Sequence, residues 1–397
     1  MTDVRTRWRN FSHGLSERWD RLPKASKIGL IVVFVVFLYA LPNKGFYEYL
    51  GLPLGEYIPL YTTRNDMATV LFQCGYYILL ALGLNIVVGY AGLLDLGFFG
   101  FFAVGAYTVA TLTSPQSKVF TEYNWLESPW PWLVALPLAI ALSLLAGVIL
   151  GFPVLRLRGD YLAIVTLGFA EMIRIVAQQN DWIFNGDRGI PNIGRPPGTN
   201  SDGTPIFQFD AKPYYWLILT VIIGMVFLIR NLVRSRVGRA WVAIREDEDA
   251  AELMGVPTYK FKIWAFAMGA GIGGFSGALW AGQANFVNSS TFRLEQSILV
   301  LAAVLLGGAG NIFGAILGGF LVIYVPEWLR SVGDVFGLPE QVRIAGEPYD
   351  VSATNLRYLF FGIILIVVMI FRPQGLWPNR RRAAELKDRE KEAMVGA

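Results

Sequence analysis

The chain has 397 residues, 54% of them hydrophobic and 16% charged, with a formal net charge of +4. That is too apolar for a soluble domain of this size, and one cysteine and one histidine exclude a disulfide framework, a thiol cluster or a multi-histidine metal site. The apolar residues come in blocks of about 20, the length that crosses a hydrocarbon core. The expected class is therefore an all-α integral membrane protein, a polytopic bundle.

Residues 1–22 are basic, with Trp8, Phe11, Leu15 and Trp19 at three- and four-residue steps among Arg5, Arg7, Arg9, Arg18 and Arg21. This reads either as an amphipathic segment on an anionic bilayer surface or as a basic tail. No small-residue cleavage pattern follows the first apolar block, so no cleavable signal is expected. Apolar spans are predicted at 23–41, 67–88, 98–112, 130–152, 160–178, 214–232, 263–282, 297–306, 313–329 and 358–371, about ten in a membrane domain over 23–376. Residues 377–397 form a charged tail.

Lysine and arginine set the orientation. With both termini cytoplasmic, Arg156, Arg158, the loop 233–262 and the tail all fall inside, whereas the opposite loops hold only scattered cations. Two external loops, 180–213 and 331–356, are long and polar. Neither is large enough for its own core; they read as ordinary connections or as a surface for an extracytoplasmic partner.

Two glycine-rich breaks interrupt apolar sequence, one at 89–97 and one at 307–311. Interrupted spans at corresponding places in two halves point to a transport site at the bundle centre. Charges inside spans are costly, so Glu171 and Arg174 stand out; three residues apart, they share one helical face. They read either as a structural pair or as the lining of a polar path for a zwitterion. Asn85 and Asp95 complete the candidate path, Asp95 being either exposed at the inner surface or part of an unwound segment.

Residues 269–274 match GxGxxG, but no strand precedes them, so dinucleotide binding fails its context test. Gly269, Gly273 and Gly277 instead make one small face for close helix packing. P-loop, HExxH, GxSxG and EF-hand patterns are absent, so no catalytic residue, metal or cofactor of its own is expected of this chain, and nothing points to nucleic acid.

The run 239–262 is the one dense stretch of charge between two membrane-length segments. Its middle reads as a short helix, with Glu246, Asp247, Glu248 and Asp249 in the first turn, where the dipole favours acids. Ala250, Ala251, Leu253 and Met254 are good helix formers, and Gly255 followed by Pro257 supplies the stop. It is either a solvated linker or a helix placed to be pushed from outside the membrane.

Five stretches carry a family likeness: 82–97 (LGLNIVVGYAGLLDLG), 160–175 (DYLAIVTLGFAEMIRI), 238–256 (GRAWVAIREDEDAAELMGV), 304–314 (VLLGGAGNIFG) and 371–376 (FRPQGL). With them the chain resembles the LivM-type permease subunit of branched-chain amino-acid ABC importers. The resemblance implies a multi-pass protein of the inner or plasma membrane. It implies a second permease subunit of LivH type, two ATP-binding subunits, and an extracytoplasmic binding protein delivering leucine, isoleucine or valine. In that family a cytoplasmic loop ending in glycine docks on the ATPase. Asp249, Ala250, Ala251, Glu252, Leu253, Met254 and Gly255 occupy that place here, with Asp where the pattern would have Glu. The basic N-terminus and the loop 180–213 depart from shorter family members. Urea, short amides or other amino acids are alternative cargoes within the family. An ion-coupled secondary transporter using Glu171 and Asp95 is the alternative outside it.

Overall fold

The structure is a computed structural model that describes residues 23–43, 66–122, 128–155, 157, 159–199, 202–208, 210–335, 341–344, 347–350 and most of 359–377. The basic segment 1–22, Arg156, Arg158 and the tail beyond Trp377 lie outside the described residues. Helix α1 (Lys24–Ala40) belongs to a unit of its own. The packing described below is that of the second unit, residues 59–397.

Apolar composition around a full helical circumference predicts burial on all sides. Helix α2 (Met67–Leu84) is such a helix, without a charged residue. It runs into a π turn, Asn85–Tyr90, and the span through Tyr90 is 89% buried. After the break come α3 (Phe99–Thr113), the short α4 (Lys118–Thr121), α5 (Trp132–Val154) and α6 (Asp160–Gln179). A surface turn, α7 (Asp181–Phe184), leads to strand β1 (Ile190–Pro191) and then to α8 (Ala211–Arg234). Two short helices, α9 (Arg236–Glu246) and α10 (Glu248–Leu253), precede α11 (Thr258–Ala284). Strand β2 (Phe286–Val287), α12 (Leu294–Gly307) and α13 (Ile312–Val335) follow.

Helices α2 and α11 form the centre. Against them pack α3, α5, α8, α12 and α13, and the α11 span is 67% buried. The spans of α6 and α8 are only 22% buried, as befits helices at the periphery. Small residues let the central helices approach. A Cβ added to Gly277 would lie 2.0 Å from the carbonyl oxygen of Phe102 in α3, and one on Gly269 2.6 Å from Val87 Cγ2. A Cβ on Gly273 would meet the ring of Phe98 and the Cβ of Phe101, each at 3.4 Å.

Seven helices are long and apolar enough to cross a membrane among the described residues. Helix α12 reaches that length together with the turn before it, as Ser289–Gly307, whereas α1, with 17 residues, and α3, with 15, fall short; residues between 359 and 371 add further helical positions. The expected external loop 180–213 is partly ordered, since Ile190 and Pro191 pair antiparallel with Val287 and Phe286. Helix α13 runs six residues past the expected end at 329 and is followed by a hairpin of β3 (Gln341–Ile344) and β4 (Glu347–Asp350). These short pairs leave the architecture helical.

Candidate functional site

The charged run folds as two helices, not one. Ser235 caps α9, its hydroxyl accepting the Val237 N–H at 3.2 Å. Trp241 on α9 is fully buried and donates its indole N–H to the carbonyl of Phe261 at 2.8 Å. An aromatic anchor with its one donor satisfied fixes α9 to the base of α11. Glu246, expected in the first turn of the next helix, instead ends α9. Asp247 is extended and is the N-cap of α10, its carboxylate accepting the Ala250 N–H at 2.9 Å. Glu248 and Asp249 remain in the first turn, where the dipole favours them.

The C-terminus of α10 follows from Gly255. Its φ of +82° is a left-handed conformation that glycine adopts without strain. The Gly255 N–H then reaches the Glu252 carbonyl at 2.9 Å, and the Val256 N–H reaches Ala251 at 3.0 Å, satisfying carbonyls a helix end leaves open. Ala251 turns inward and is buried. Leu253 and Met254 point outward, 89% and 85% exposed. They are the most exposed large apolar side chains of the described residues, on an otherwise polar module where no lipid-facing span accounts for them.

The sequence assigns Lys262 to the end of the cationic loop 233–262. It lies in the first turns of α11, buried, and pairs with Glu248 of α10, Nζ to Oε1 2.5 Å. Together with Trp241 this gives the module a second attachment to α11.

Asn85 opens the π turn and is almost fully buried. Its Oδ1 accepts the Gly310 N–H at 2.8 Å, and its Nδ2 donates to the Asn311 carbonyl at 3.2 Å. One side chain thus joins the two glycine breaks, 225 residues apart in sequence. Asn311 Nδ2 in turn donates to the Trp377 carbonyl at 3.0 Å. The N–H groups of Leu376 and Trp377 reach the carbonyls of Leu306 and Gly307. The FRPQGL stretch therefore closes over the end of α12.

Asp95 lies in the non-helical segment between Tyr90 and Phe99 and is buried, not exposed. Its Oδ1 accepts the Gly97 N–H at 2.8 Å, while Leu96 N–H reaches Thr166 of α6. Glu171 and Arg174 are paired, Arg174 Nε donating to Glu171 Oε1 at 2.8 Å and Nη1 to Gln178 Oε1 at 3.2 Å. Their side chains are 39% and 24% exposed, and Glu171 lines a small cleft with Phe99, Phe292 and Ser297. Asn85 and Asp95 are held in the interior, whereas the Glu171–Arg174 pair is partly exposed. Among the described residues no group of three or more His, Cys, Asp or Glu could hold a metal ion.

A bundle of apolar helices with broken spans and a capped polar appendage has the build of a multi-pass membrane protein. Residues 67–369 match the family described as branched-chain amino acid transport system / permease component. The chain belongs to that family, and it is a multi-pass protein of the inner membrane. It is 38% identical over 340 residues to the high-affinity branched-chain amino acid transport system permease protein LivM of Salmonella typhimurium, covering 81% of this chain and 72% of that one. It is 26% identical over 342 residues to a probable LivM permease of Methanocaldococcus jannaschii, covering 79% and 94%. It is also 29% identical over 198 residues to the autoinducer 2 import system permease protein LsrC of Yersinia pseudotuberculosis, covering 47% and 53%. No solved structure matches the chain.

Proposed function

We propose that this chain is one of two permease subunits of an ATP-driven importer for leucine, isoleucine and valine. Two ATP-binding subunits work on it from the cytoplasm, and an extracytoplasmic binding protein delivers the solute. In this reading α1, α3, the helical positions of 359–371 and the seven longer spans make ten crossings, with both termini and α10 inside. The chain makes and breaks no bond and needs no cofactor. Its task is geometric.

The observation that carries the reading is α10 itself, a capped six-residue helix that shows two bare apolar side chains, Leu253 and Met254, away from the spans. An apolar pair on a small helix fits a groove on a partner protein, and the acids beside it set register more than affinity. Nucleotide-driven closure of the ATPases would shift that groove, α10 would follow, and the attached spans would rock between outward- and inward-open states. The Glu171–Arg174 stripe on a peripheral span avoids lipid by facing the second permease, where a polar path between subunits suits a zwitterion.

Reconstitution tests this directly. The full assembly in liposomes takes up leucine only with ATP and binding protein, and this chain alone takes up none under any ion gradient. Gradient-driven uptake by the isolated chain would replace the proposal with ion coupling through Glu171 and Asp95. The likeness to an autoinducer 2 permease supports a second reading in which the same machinery carries another small polar solute; competition between that solute and leucine separates the two.

A further inference from the structure

Helix α9 ends one residue after Arg245, and α10 begins two residues beyond that end. Arg245 reaches the end of the first broken span. Its Nη1 donates to the carbonyl of Gly89 at the close of the π turn. That carbonyl belongs to the C-terminal end of a helix that started at Met67, where unpaired carbonyls and the dipole both favour a cation. The guanidinium also lies against the second break. A Cβ on Gly310, whose φ is +85°, would stand 2.8 Å from Arg245 Nη1 and 3.0 Å from the Gly89 oxygen. Against the first break the fit is equally close, since a Cβ on Gly92 would stand 2.7 Å from Arg245 Cγ. Asn85 also bonds to the second break, at Gly310 and Asn311.

We propose that Arg245 is a positioning residue for transport: it ties the root of α10 to both broken spans at their crossing, so that a displacement of α10 is delivered to the two breaks together. The inference rests on the reading of α10 as the element gripped by the ATPases, and it adds where that motion enters the membrane domain. The crossing is close-packed at Gly89, Gly92 and Gly310, and a close-packed contact has low compressibility and transmits displacement. The Lys262–Glu248 pair acts on α11 instead. Arg245 is the route to α2 and α12.

The assembled importer in proteoliposomes, with leucine and ATP as probes, tests this with Arg245→Gln and Arg245→Lys beside Leu253→Asp. Arg245→Gln is expected to assemble and hydrolyse ATP as before, while leucine taken up per ATP falls about tenfold, a coupling of ordinary allosteric size. Arg245→Lys recovers part of the ratio, because an ammonium can still meet the Gly89 carbonyl. An unchanged ratio in Arg245→Gln, with Leu253→Asp uncoupled, overturns the inference and leaves the grip of α10 standing. Normal uptake in Leu253→Asp overturns the grip and the inference with it. Should Arg245→Gln fail to assemble, spin labels at Glu246→Cys and Phe313→Cys, in a Cys74→Ser chain that keeps Arg245, give the second measurement. Their separation is expected to be the same in nucleotide-free and ATP-bound complexes; a separation that changes on ATP binding overturns the tie.

Discussion

Lys262 of α11 and Glu248 of α10 form an ion pair with nitrogen and oxygen 2.5 Å apart, the lysine side chain 5% exposed and the glutamate 29%. A charge so buried is costly without its partner, whereas losing both partners is far milder. The pair therefore fixes where α10 sits without being a large net source of stability.

Glu248→Gln is expected to cost about 3 kcal/mol, the lower end for orphaning a buried partner, because Glu248 itself is partly solvated. The double change Glu248→Gln with Lys262→Met should regain most of that loss. Thermal unfolding of the purified complex checks the order, and a double variant no more stable than Glu248→Gln would show that the two charges do not act as a pair.

Replacing Gly255 by lysine forces a side chain into a left-handed backbone, at about 1–2 kcal/mol, and misdirects Leu253 and Met254. Uptake should fall while ATP hydrolysis and membrane insertion persist. Full uptake by a chain carrying both Gly255→Lys and Leu253→Asp would remove α10 from the mechanism.

Glu171→Gln leaves Arg174 without its carboxylate on a membrane helix, so expression or uptake should drop more than in the double change Glu171→Gln with Arg174→Gln. A double variant as poor as the single would instead mark the two side chains as lining the solute's route. The comparison needs only insertion yield and initial uptake rate.

Two glycines should respond oppositely to alanine. Gly277→Ala sets a methyl 2.0 Å from the Phe102 carbonyl oxygen, so α3 and α11 must part and the unfolding temperature should fall by several degrees, about 1–3 kcal/mol of overpacking. Gly168 on α6 has nothing within 4 Å, and Gly168→Ala should be neutral or stabilising by up to about 1 kcal/mol. If the assembled complex is destabilised by Gly168→Ala while the isolated chain is not, that face of α6 meets the second permease.

Local chemistry was readable without coordinates. The apolar blocks announced their helices because each has the length and composition a bilayer requires. The stop of α10 was legible at Gly255 because a left-handed residue is a glycine requirement. Glu246 was misplaced because four consecutive acids offer several N-cap registers, and only the extended backbone at Asp247 chooses one. Lys262 reads as a loop cation because nothing in its neighbours tells that Glu248 folds back onto it.

By itself the sequence determined a polytopic helical membrane protein, a capped acidic helix between two spans, and a glycine-rich helix with one small face for close packing. These rest on composition and on spacings within a few residues, which act wherever the rest of the chain lies. The tertiary structure alone decided that Asn85 and Arg245 meet the glycine break at 307–311, that Asp95 is interior, and that the FRPQGL stretch closes on α12. Those contacts join residues up to hundreds of positions apart, and their partners are mostly backbone carbonyls and N–H groups, which every residue type carries alike.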